Sequence, residues 1–131
     1  MIDGADNLSI GAIHSFDIIV DNHHTALSMG SGDVEVYATP CLILHMEAAA
    51  SAIAQKGLDD GFCSVGTVVN ITHSAATPVG MKVSISAKLI SIDGRKLVFE
   101  VSAFDERGPI GNGLHERMVV NKLKFIERVA L

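Results

Sequence analysis

The sequence is poor in the residues that several protein classes need. It contains no tryptophan and only two cysteines among its 131 residues. Cys41 and Cys63 are too few for a disulfide scaffold and do not form a CxxC pair, so we interpret both as buried free thiols. No HExxH motif or Cys/His ligand spacing links the histidines, and we therefore expect no metal site.

Positive charge and long apolar runs are also lacking. Lysine and arginine total 10 against 15 acidic residues, a formal net charge of −5, and no basic cluster indicates a nucleic-acid partner. No run of about 18 uncharged apolar residues is available to span a membrane. The first six residues are acidic and polar rather than basic and apolar, so we expect a cytoplasmic protein without a secretion signal.

Apolar residues, by contrast, are abundant for a chain of this size. Hydrophobic residues make up 48% of the sequence, and a chain of this length normally forms one domain. We therefore predict a single domain over residues 1–131. A surplus of apolar surface is typical of an obligate subunit interface, which favours an oligomer.

One long helix is predicted in the first half of the chain. A strand over Ile13–Val20 comes first, and residues 21–33 form a loop or a short irregular helix. Thr39 is predicted as the N-cap of the helix, with Pro40 in its first turn and strong helix formers over Cys41–Lys56. The helix is apolar on nearly all sides, which indicates that other structure surrounds it.

The rest of the chain has the composition of β-strands. Four segments rich in Val, Ile, Thr or Phe follow the helix, at Cys63–Ser74, Lys82–Ile92, Lys96–Phe104 and Leu114–Ile126. Asp93-Gly94 is typical of a type I′ hairpin, and a second turn lies at Asp105–Gly108. The pattern predicts an α+β domain in which a curved antiparallel sheet wraps the helix.

Three side chains stand out on chemical grounds. Thr39 lies at the start of the helix, Glu47 is the one acidic residue within it, and His73 lies near the end of the next strand. Each also has a structural interpretation, as an N-cap, a paired carboxylate and a satisfied strand histidine. Together they can place water or a nucleophile against an acyl carbonyl at the positive end of a helix. A serine hydrolase is not favoured, because the sequence has no GxSxG nucleophile elbow.

Several motifs resemble a known family, the hotdog-fold thioesterases, and in particular the fluoroacetyl-CoA thioesterase-like branch. The resemblance covers nearly the whole chain after Val36. The matching segments are Ala38–Pro40 leading into Met46–Ala48, Gly66–Gly80, Asp93–Arg95 and Ile110–Arg117. The THxAATPxG-like run that begins at Thr72 is the specific part.

The resemblance implies roles for five residues. Thr39, Glu47 and His73 would be the catalytic set. The Gly66 backbone would lie near the acyl group, and Arg117 would reach the pocket from the last strand. Strict alternation places Gly66 and His73 on opposite faces of the sheet, so a β-bulge must intervene unless Gly66 acts through its backbone alone.

The family also implies an assembly and a reaction. The assembly is a homodimer with the two sheets joined edge to edge and sites at the subunit boundary, with a dimer of dimers as a further alternative. The reaction is hydrolysis of an acyl-CoA thioester. Our hypothesis for its mechanism is that Glu47 acts as a general base or a nucleophile and that His73 moves a proton to the leaving thiolate. No cofactor is expected, since coenzyme A is part of the substrate.

The substrate and two rival functions stay open. The resemblance implies that phenylalanines before the catalytic threonine gate the pocket of the fluoroacetyl-specific enzyme. Residues 30–35 contain no phenylalanine, so we expect a more general substrate with a small or medium acyl group. One rival is a non-catalytic protein that binds acyl-CoA or another small ligand. The other is a hotdog enoyl-CoA hydratase, which needs an aspartate shortly before a histidine, and only Asp17 with His23 has that spacing.

Overall fold

The sheet that dominates the molecule has five antiparallel strands in the order β1-β3-β4-β5-β2. The computed structural model describes residues 4–130. The strands are β1 (Ile13–Ile19), β2 (Phe62–His73), β3 (Lys82–Asp93), β4 (Lys96–Asp105) and β5 (Gly108–Asn121). The helices are a 3₁₀ turn (Asn22–His24), α1 (Ala26–Met29), α2 (Thr39–Gly57) and α3 (Lys122–Val129). The predicted α+β architecture is confirmed.

The long helix α2 packs against one face of the sheet, and the core lies between them. Leu42, Met46 and Ile53 of α2 are buried. The sheet contributes alternate residues of its central strands, such as Ile85 of β3 and Phe99 of β4. Each fully buried side chain of this size contributes about 1.5–3 kcal/mol, so this face fixes the position of α2. Among residues 4–130, no helix is long and apolar enough to cross a lipid bilayer.

Three local predictions are wrong. The N-cap of α2 is Ala38, and Thr39 is the first residue of the helix. The Thr39 hydroxyl does not cap the helix, because it is hydrogen-bonded to His73 instead. The last strand ends at Asn121, whose side chain accepts from the Lys124 backbone and starts α3, so residues 122–126 are helical rather than extended. The two central residues of the β3–β4 hairpin are Gly94 and Arg95, and only Gly94 has a positive φ, of 60°. A positive φ at the first central residue alone fits a type II′ turn rather than type I′.

A β-bulge, one of the two alternatives that the sequence left open for Gly66, is present in β2. Gly66 pairs with Arg117, but Val68 pairs with Glu116, so Thr67 is an extra residue in the ladder. The extra residue shifts the alternation by one position. Gly66 and His73 therefore face the same side of the sheet, the side that α2 covers.

Candidate active site

The first group of side chains joins the start of α2 to the end of β2. Thr39 Oγ1 lies 2.7 Å from His73 Nδ1. His73 Nε2 is buried and has no hydrogen-bond partner among residues 4–130. Burial lowers the pKa of His73 below its ordinary 6.5, although the nearby Ala75 backbone opposes the shift. The imidazole is therefore neutral near neutral pH and has one nitrogen free for a ligand.

A cavity of about 310 Å³ opens beside this pair and is lined by Tyr37, Thr39 and His73 together with Ala75. Tyr37 is buried, and its hydroxyl lies 2.5 Å from His45 Nδ1. Burial raises the pKa of Tyr37 and lowers the pKa of His45, so Tyr37 donates and His45 accepts. The hydrogen bond makes the Tyr37 ring a fixed wall of the cavity.

The second group lies further along α2. Glu47 Oε2 is 3.8 Å from Arg117 Nη1, and the Glu47 side chain is 37% exposed. Gly66 of β2 faces this carboxylate so closely that an added Cβ would lie 2.6 Å from Glu47 Oε2. Gly66 lacks a positive φ, so glycine is needed here for close approach rather than for backbone conformation.

Arg117 is held by two neighbours other than Glu47. Its Nε donates to Ser64 Oγ at 2.8 Å, and its Nη2 donates to the Ser64 carbonyl at 3.1 Å. Its Nη1 donates to His115 Nε2 at 3.1 Å. Burial lowers the pKa of Arg117 and the charge of Glu47 opposes that shift, so the guanidinium stays charged.

The five residues that the sequence singles out thus form two groups within one chain. Thr39 meets His73, whereas Glu47 meets Gly66 and Arg117. The eight residues from Thr39 to Glu47 correspond to about 12 Å along the axis of α2. A single chain therefore presents a hydroxyl–imidazole pair at one end of this helix segment and a carboxylate beside a guanidinium at the other.

Sequence reasoning passed over His115, Ser64 and the Tyr37–His45 pair. The position of His115 two residues before Arg117 in a strand was a usable signal, because it places both side chains on one face. No comparable signal linked Tyr37 to His45. Among residues 4–130, no group of three or more His, Cys, Asp or Glu side chains is arranged to hold a metal ion.

A five-stranded antiparallel sheet wrapped on one long helix is the hotdog fold, which thioesterases of the same superfamily share. Residues 20–123 match the family model described as fluoroacetyl-CoA-specific thioesterase, FlK. This chain therefore belongs to the FlK family. The resemblance inferred from the motifs, the hotdog fold and the class of thioester hydrolase are confirmed.

Individual relatives agree with the family match. The fluoroacetyl-CoA thioesterase of Streptantibioticus cattleyicolor is 35% identical over 130 residues, which cover 95% of this chain and 94% of that protein. The solved structure of the fluoroacetyl-CoA thioesterase FlK has a TM-score of 0.89 at 35% identity, covering 95% of this chain and 97% of that one. A thioesterase superfamily member from Thermus thermophilus has a TM-score of 0.88 at 27% identity, covering 95% and 93%.

Proposed function

We propose that this protein hydrolyses the thioester of a small or medium acyl-CoA, with Thr39, Glu47 and His73 as its catalytic residues. The observation that carries the proposal is the state of Glu47. Its carboxylate forms an ion pair with Arg117 at a distance too long for a hydrogen bond, and it accepts no hydrogen bond from any of residues 4–130. It is also partly open to solvent. A carboxylate held in this way can take a proton from water or attack a carbonyl.

The two groups combine into one site if β2 pairs with its copy in a second chain. β2 is an edge strand, and residues 66–70 of it are exposed, including Val68 and Val69 at 42% and 41%. An exposed apolar strand edge favours pairing with another strand. Antiparallel pairing about a two-fold axis between Val69 and Asn70 sets His73 opposite the partner's Gly66, and thus brings Thr39 and His73 close to the partner's Glu47 group.

In the proposed reaction the acyl carbonyl lies at the N-terminus of α2, where the helix dipole stabilises negative charge on its oxygen. Glu47 takes a proton from water while the water oxygen bonds to the carbonyl carbon. The carbon–sulfur bond then breaks, and the proton that Glu47 took passes through the His73 ring, which Thr39 orients, to the leaving thiolate, so that Glu47 and His73 return to their starting states. If Glu47 instead attacks the carbon, the carbon–sulfur bond breaks, the thiolate leaves with an anhydride on Glu47, and water hydrolyses that anhydride to the free acid and the carboxylate. Coenzyme A is part of the substrate, so the reaction needs no cofactor.

The first test is thiol release from a panel of acyl-CoAs of increasing chain length. We expect turnover of small or medium acyl groups, and a Glu47→Gln variant slower by at least about a hundredfold with unchanged folding, since general base catalysis contributes about 10²–10⁴-fold. Near-normal turnover by Glu47→Gln would reject the assignment of Glu47. Tight binding of acyl-CoA without thiol release would favour the non-catalytic alternative.

The second test asks whether the site uses two chains. Thr39→Ala chains alone should keep about a tenth of the wild-type activity and Glu47→Gln chains about a hundredth or less, but a mixed dimer contains one site with both wild-type residues. Random assembly of co-expressed chains should therefore recover about a quarter of wild-type activity. If both residues act within one chain, co-expression recovers nothing, because every site then keeps at least one substitution.

A further inference from the structure

His115 is a buried polar residue that the proposed reaction does not use. It lies on β5 next to the Glu47 group and is 1% exposed. Its Nδ1 lies 2.8 Å from the carbonyl oxygen of Val68, which belongs to the bulged part of β2. Its Nε2 lies 3.1 Å from Arg117 Nη1. Both ring nitrogens therefore have partners.

These partners determine the tautomer of the ring. A backbone carbonyl only accepts, so His115 Nδ1 must carry the proton. A guanidinium only donates, so Nε2 must present its lone pair to Arg117. The ring is therefore the neutral Nδ1–H form. Burial and the charge of Arg117 both lower the pKa of His115, against its hydrogen bond to Val68 and the charges of Glu47 and Glu116.

The bond to His115 also decides where the Arg117 guanidinium points. Nε and Nη2 are bonded to Ser64, and Nη1 is bonded to His115. The Glu47 carboxylate is left at 3.8 Å from Nη1, too far for a hydrogen bond but near enough for strong charge attraction. Arg117 therefore keeps a cation beside Glu47 without placing a donor on its oxygens.

We propose that His115 is a positioning residue that holds Arg117 off Glu47, so that the carboxylate has a cation beside it yet stays free to accept a proton from water. This inference rests on the proposed function, because it gives Glu47 the role of base. The proposal also gives the bulge at Thr67 a second structural role. The bulge aims Gly66 at Glu47, and its Val68 carbonyl selects the tautomer of His115.

The test compares His115→Phe, which removes both hydrogen bonds, with His115→Gln, which keeps an acceptor for Arg117. Loss of the acceptor lets Nη1 close onto Glu47, so we expect His115→Phe to lower kcat about tenfold or more with KM within about twofold, and His115→Gln to recover part of the loss. His14→Phe, in β1, is the matched control and should leave kcat unchanged.

A double-variant cycle separates positioning from general damage. If His115 acts through Arg117, then His115→Phe adds no further loss in an Arg117→Gln background, whereas additive losses overturn the inference. Nitrogen-15 NMR of the wild-type ring gives a readout that does not depend on activity or on the variants folding. A proton on Nδ1 supports the inference and a proton on Nε2 overturns it. A wild-type protein that releases no thiol overturns both proposals, but wild-type kcat in folded His115→Phe overturns this one alone.

Discussion

The two halves of the candidate site are built in opposite ways. Thr39 and His73 are joined by one direct hydrogen bond of 2.7 Å between the first residue of a helix and the last residue of a strand. Glu47 has no such bond and lies near a charge that Ser64 and His115 hold in place. One half depends on a single contact between its own members. The other depends on Ser64 and His115, which position the guanidinium beside the carboxylate.

The largest expected effect comes from Gly66→Ala, which tests the half of the site that contains Glu47. The new methyl would lie 2.6 Å from Glu47 Oε2 and 3.3 Å from His115 Cε1, so the carboxylate must move. A displacement near 1 Å costs about a hundredfold in rate, and we expect that loss in kcat with little change in melting temperature. Thr67→Ala, at the neighbouring exposed position, is the control. A Gly66→Ala enzyme at wild-type rate would mean that Glu47 does not react.

Two substitutions of Thr39, to Val and to Ser, test the half of the site that depends on the Thr39–His73 hydrogen bond. Valine keeps the shape but removes the hydroxyl that orients His73, so we expect kcat to fall about tenfold, the equivalent of one hydrogen bond. Serine keeps the hydroxyl and should stay near the wild-type rate. Equal rates for the two variants would show that the Thr39–His73 contact has no part in turnover.

The smallest expected effect is on stability and involves histidines of both halves. Burial lowers the pKa of His73 and of His115 from 6.5. Below about pH 6.5 the unfolded chain therefore binds protons that the folded chain does not, so stability falls as pH falls through this range. The slope from fully buried His115 is at most about 1.4 kcal/mol per pH unit.

Urea unfolding at several pH values measures that slope. His115→Gln should reduce the pH dependence between about pH 5 and 7. Asp105, whose pKa is lowered by hydrogen bonds from Thr77 and Arg107 despite its burial, affects stability only in a separate and more acidic range. Parallel pH profiles for wild type and His115→Gln would show that His115 is protonated equally in both states.

Most of the fold could be predicted because its signals are local. Alternation located the strands, and Pro40 followed by a run of helix formers located α2. The end of β5 was mistaken because Phe125 and Ile126 favour a strand by composition. Asn121, an N-cap residue, and the three-residue spacing of Leu123 and Ile126 are the helical signals that were outweighed.

The site could be predicted only in part, because hydrogen bonds between distant segments leave no pattern in the sequence. The Thr39 hydroxyl was predicted to cap its own helix but bonds to His73 instead. His115 was passed over because its role depends on the carbonyl of Val68, which only a bulged ladder presents to it. The need for that bulge was nevertheless visible, since Gly66 and His73 are an odd number of residues apart.

The bulge also determines where the chain tolerates changes of length. One residue inserted or deleted between Gly66 and His73 turns one half of the site away from α2, so this stretch of β2 is expected to keep its length in any active variant. Residues 30–35 are exposed and lie outside helices and strands, so insertions there leave every strand register intact. Because Ser31 of that loop lines the cavity beside Thr39 and His73, changes of length there can reshape this cavity while the candidate site residues keep their positions.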